Sequence, residues 1–152
     1  MFRVGGSDFD VDVFLEGGGL EPDSVWRKGA QRFEHSVTNT DLNQSSGMRF
    51  VASDADMSDL ASQIEETGDF IREYQGELLG LTSMPGVEFA VFDFGCAIRP
   101  PGWSSFTFPP ALLTLAGAVG ASLCVSVYPT SDDEDEDGDE DENGDKDKDD
   151  NG

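Results

Sequence analysis

Apolar residues fall along the chain in clusters whose spacing switches between period two and period 3.6, the signatures of strands and of helices. Phe2 and Val4 flank Arg3 in a short apolar start closed by Gly5 and Gly6, which reads as a strand. Asp8 or Asp10 is placed to cap a helix whose Val11, Phe14 and Leu15 recur at helical spacing, and Gly17 to Gly19 end it. Leu20 to Asp23 is a turn around Pro22, and Ser24 to Lys28 is a short extended segment closed by Gly29. Ala30 to Gly47 is polar and nearly patternless, as expected of a long loop, before Met48 to Ala52 alternate like a strand.

Asp54 or Asp56 then opens the longest helical pattern. Leu60, Ile64, Phe70, Ile71, Tyr74, Leu78 and Leu79 form a broad stripe, interrupted near Gly68 and running to about Gly80. Val87 to Ile98 is the candidate central strand: Val87, Phe89 and Val91 alternate with Glu88 and Ala90, and a phase change near Phe92 to Phe94 predicts a bulge. Pro109 and Pro110 suit a helix start, Leu112, Leu113, Leu115, Ala116 and Val119 give it an apolar side, and Gly120 stops it. Leu123, Val125 and Val127 alternate in a last strand ending at Tyr128 and Pro129. Helices and a one-sided sheet must bury their apolar faces against each other. The order therefore predicts an α+β two-layer sandwich, a mostly antiparallel sheet with helices on one face, ferredoxin-like in arrangement.

Composition divides the 152 residues in two. Residues 131–152 hold 14 acidic residues, 2 lysines and no apolar side chain, a net −12, which predicts a disordered acidic tail. Residues 1–130 carry the other 18 acidic and 7 basic residues, a net −11, and enough apolar side chains for a single α+β domain. A surface this negative repels phosphate backbones and anionic membranes, so a nucleic-acid or membrane partner is not expected, whereas a basic protein is a natural partner. No basic region followed by an apolar run opens the chain, and no stretch reaches the roughly 18 apolar residues of a membrane span, so a cytoplasmic location is expected.

Few residues carry chemistry. The one histidine, His35, lies in the polar loop beside Glu34, and Cys96 and Cys124 sit in apolar runs as free core thiols, so neither a catalytic triad nor a zinc site can be assembled. The glycines match neither dinucleotide nor phosphate-loop spacing, and no cofactor is expected. Asp8, Asp10 and Asp12 could collect a hard cation on a loop, but an acid capping a helix and another in its first turn serve the helix dipole equally well. Asp133, Asp135, Asp137 and Gly138 match the first half of a calcium loop, yet Gly144 stands where a bidentate glutamate is required. Trp26, Arg27 and Lys28 form the compact basic cluster of the domain, with Arg27 offering a bidentate fork to an anion or partner, or pairing instead with Glu21 and Asp23. Trp103, Phe106 and Phe108 stand in a Pro-, Gly- and Ser-rich loop, either as a lid on the core or as a partner's anchor points.

Gly6-Ser-Asp-Phe-Asp10, then Gly19-Leu-Glu-Pro22, then Trp26-Arg-Lys-Gly29, followed by the long helix, the strand and the Leu112 to Tyr128 close, resemble the bacterial domain-of-unknown-function family 4279. The resemblance covers most of residues 1–130 and leaves the tail outside; Val11 and Met48 depart from it where a proline and a tryptophan are expected. It implies the fold just described and a small bacterial protein, some members of the family being candidate immunity proteins beside polymorphic toxins. Three readings follow. The first is a non-catalytic protein-binding module of immunity type that neutralises a basic toxin such as a nuclease, steered by acidic charge. A second is a small-ligand-binding or metal-dependent enzyme using the Asp8, Asp10 and Arg27 corner. The third is a structural or oligomeric module pairing through an open sheet edge.

Overall fold

A computed structural model describes residues 1–32, 41–98 and 104–130. In chain order the elements are β1 (Phe2–Gly6), α1 (Val11–Gly17), β2 (Ser24–Trp26), β3 (Ser46–Phe50), α2 (Leu60–Glu73), α3 (Gln75–Thr82), β4 (Phe89–Ile98), α4 (Pro110–Ala118) and β5 (Ser122–Pro129). They form one five-stranded sheet in the order β2-β3-β1-β4-β5, antiparallel except for the β4–β5 pair. The first four strands with α1 and α2 make the split βαββαβ arrangement of a ferredoxin-like fold. Parallel neighbours need a crossover, and α4 supplies it for β5.

Register follows from alternation. Phe2 lies opposite Phe50 on one side and Phe92 on the other, and Val4 lies opposite Met48 and Ala90. These residues share the sheet face that the helices cover, and all are buried. The Phe2 ring sits 4.7 Å from that of Phe92 and 5.9 Å from that of Phe50, and Phe14 of α1 meets Phe50 edge-on. Val11 of α1, Ile71 of α2, Leu78 and Leu81 of α3, and Leu112 and Ala116 of α4 complete a single core. Pro109 and Pro110 start α4 and Gly120, at φ +69°, ends it, as the sequence predicts.

Several expectations are corrected. The long helix is capped by Asp59, which accepts from the Ser62 amide, and not by Asp54 or Asp56; Asp56 caps the preceding turn through the Ser58 amide. The one helix expected to run to about Gly80 is two, broken at Tyr74, and α2 and α3 each send their own side chains, Ile71 from one and Leu78 and Leu81 from the other, into the core. In β4 there is no bulge: pairing with β5 runs unbroken from Val91–Ser122 to Ile98–Pro129. Its inward residues are Ala90, Phe92, Phe94 and Cys96, while Phe89 and Val91 face the other way. Apolar residues on both faces made its phase ambiguous, and β1 rather than β4 takes the central place. Finally, the loop after β2 is ordered at its roots, where Gln31 bridges Leu42 and Arg32 N–H donates to Asp41. Residues 33–40, His35 among them, the Trp103 region and the acidic tail lie outside the described residues.

Candidate functional site

The corner singled out by the sequence forms where α1 begins beside the end of β2. Asp10 is the N-cap of α1 and accepts from the Asp12 amide at 3.0 Å. Asp12, in the first turn, pairs with Arg27, whose Nη2 lies 2.5 Å from Oδ1. The Arg27 hydrogen bond holds the Asp12 carboxyl below the ordinary carboxylate range, and the same bond raises the Arg27 guanidinium further. Lys28 Nζ donates to the Ser7 carbonyl at 3.1 Å and stands 4.0 Å from the exposed Asp8 carboxylate. A shallow groove of about 320 Å³ runs between these groups. Arg27 is thus engaged by Asp12, and not by Glu21 or Asp23; Asp23 instead accepts from the Val51 amide. With its cations already tied to its own acids, the corner is an internally satisfied junction between α1 and the β2 end. Among the described residues, no three His, Cys, Asp or Glu side chains converge where they could hold a metal ion.

Trp26 leaves this corner for the opposite, solvent side of the sheet. Its register partner is Gly47 of β3, and a Cβ placed on Gly47 would stand 2.2 Å from the indole ring. The missing side chain is what lets the ring lie across β3. Phe106 is half-buried on the approach to α4, and Phe108 packs edge-on against Phe94 with ring centres 5.0 Å apart, closing one end of the core.

Two further features come from the fold. From Asp54 to Glu77 the chain carries eight carboxylates, all exposed: Asp54, Asp56 and Asp59 on the way into α2, and Glu65, Glu66, Asp69, Glu73 and Glu77 on α2 and α3. The one basic residue in that stretch, Arg72, is engaged by Asp69 at 2.6 Å. The open face of the sheet is different in kind. Arg3 of β1 and Arg49 of β3 are direct register partners there. Arg3 Nη2 donates to Asp93 at 2.9 Å, and Asp93 also accepts from the Ser126 hydroxyl at 2.7 Å. Each arginine sits in the middle of an apolar triplet, Phe2-Arg3-Val4 and Met48-Arg49-Phe50, so its outward direction was legible; that the two meet required the strand order.

A ferredoxin-like domain with an acidic helix layer and an arginine pair on its bare sheet face is therefore the class that fold and surface define. No family model, curated protein or solved structure matches the chain. Among the described residues no helix is long and apolar enough to cross a membrane.

Proposed function

We propose that the chain is a cytoplasmic, non-catalytic protein-binding domain of immunity type, which neutralises a basic protein such as a nuclease by covering its cationic surface. The observation that carries the reading is the stretch from Asp54 through α2 to Glu77 of α3, with eight exposed carboxylates against one arginine that is already paired. A surface of one sign on a rigid element raises encounter rates with an oppositely charged partner and selects against others. The acids of residues 131–152 add the same sign of charge. Resemblance of the Gly6 to Asp10, Gly19 to Pro22 and Trp26 to Gly29 segments to family 4279 supports the same assignment.

The test is affinity capture from the native host's lysate with the full chain and with a chain ending at Thr130, each at low and moderate salt. The reading predicts a basic protein held in stoichiometric amount at moderate salt by the full chain. Weaker retention on the shortened chain assigns part of the contact to the tail. Failure of both chains to retain any basic protein would contradict it.

A further inference from the structure

The bare sheet face carries charge of the wrong sign for a chain of net −23. Arg3 and Arg49 stand opposite each other on neighbouring antiparallel strands. Side chains at such positions have Cβ atoms about 4.5–5.5 Å apart, close enough for like charges to repel. Asp93 offsets Arg3 in part. Arg3 keeps part of its guanidinium open to solvent beside that ion pair, its side chain being 42% exposed. Arg49 is exposed, and its guanidinium makes no hydrogen bond or ion pair among the described residues. Concavities of about 570 and 540 Å³ meet at these two arginines. Trp26 walls the first, held flat across Gly47 two residues along β3 from Arg49.

We propose that this face binds a small phosphate monoester, its phosphate between Arg3 and Arg49 and its planar organic group against Trp26. A phosphate dianion has the charge to relieve the repulsion of two guanidiniums and enough oxygens to fill the Arg49 fork and still reach the part of Arg3 that Asp93 leaves open, whereas a carboxylate fills the one fork. The adjoining indole offers a flat apolar surface to whatever the phosphate carries. Asp93 reduces the local charge of the pair, so affinity comes chiefly from the bidentate contact of Arg49, and the ligand is small because the rest of the molecule repels polyanions.

The experiment uses the full chain with Trp103→Phe, which leaves Trp26 as the one indole, and phenyl phosphate as the probe. Saturable quenching of Trp26 is expected, with inorganic phosphate binding more weakly because it cannot reach the ring. Arg49→Gln, an exposed substitution that circular dichroism should find folded, is expected to weaken binding about tenfold or more, the loss of a charge-assisted bidentate contact. Arg49→Lys should fall between the two, since it keeps the charge and loses the fork. The proposal is overturned by no saturation up to about 10 mM or by unchanged affinity in Arg49→Gln. Equal affinity for inorganic phosphate and phenyl phosphate would overturn the role given to Trp26.

Discussion

Glu66 stands exposed on α2, yet its carboxylate accepts from the Ser53 hydroxyl and from the amides of Asp54 and Ala55, tying the segment after β3 to the helix. Those bonds, the Ser53 hydroxyl first, hold its pKa below the ordinary glutamate value, and serine donors do the same for Asp56, Asp59 and Glu88. A carboxyl with a lowered folded pKa stabilises at pH values above its unfolded pKa, and that contribution disappears as the pH falls through the folded one. Glu66→Gln should therefore lower the urea midpoint at pH 7, and its difference from the parent should shrink as the pH falls below the ordinary glutamate value of about 4.3. A difference that persists unchanged at low pH would show that charge is not the cause. Burial raises the Cys96 thiol, and Cys124 is less enclosed. Under native conditions a thiol reagent is expected to label Cys124 first, Cys96 reacting only as the protein opens. Asp10→Ala should cost about 1 kcal/mol of stability through loss of the α1 cap, with the fold retained in circular dichroism.

At the scale of elements, the sheet depends on where side chains are missing. A Cβ on Gly47 would meet the Val4 carbonyl oxygen at 2.5 Å as well as the Trp26 ring, so relief needs both a ring and a strand to move. Gly47→Ala is expected to lose about 1–3 kcal/mol in denaturant unfolding, as overpacking does, and to change the near-ultraviolet dichroism of Trp26. Phe92, fully buried between Phe2 and the helices, should cost about 3–5 kcal/mol when cut to alanine. The layout of strands and helices was legible because glycines, prolines and capping acids punctuate it: Asp10, Gly17, Pro110 and Gly120 all fall at the ends they signal. The break at Tyr74 was not legible, since no proline or glycine occupies it and the apolar stripe continues through it to Leu78. Nor was the phase of β4, whose two faces are both apolar near Phe89 to Phe94. The Trp26 to Lys28 cluster was visible as a motif, but its partners were not, because Asp12 and Ser7 approach Arg27 and Lys28 only once α1 is packed.

At the scale of the molecule, the described residues set an acidic helix surface apart from an arginine pair on the sheet. Helices α2 and α3 turn Glu65, Glu66, Asp69, Glu73 and Glu77 to solvent, and the sheet turns Arg3 and Arg49 to its open face. Such a division gives two surfaces of different character to one small domain, and the basic protein proposed as partner belongs on the helix side. Glu65 and Glu77 are exposed on successive helices of that side and lie apart from the Glu66 bonds that hold the chain after β3. The most direct measurement is the affinity of the captured basic protein for the parent chain and for the Glu65→Lys, Glu77→Lys double variant, over a range of salt. A loss of about tenfold or more at low salt, shrinking as salt screens the charges, is the predicted result. Equal affinity for parent and double variant at every salt concentration would contradict the assignment of the acidic helix layer as the binding surface.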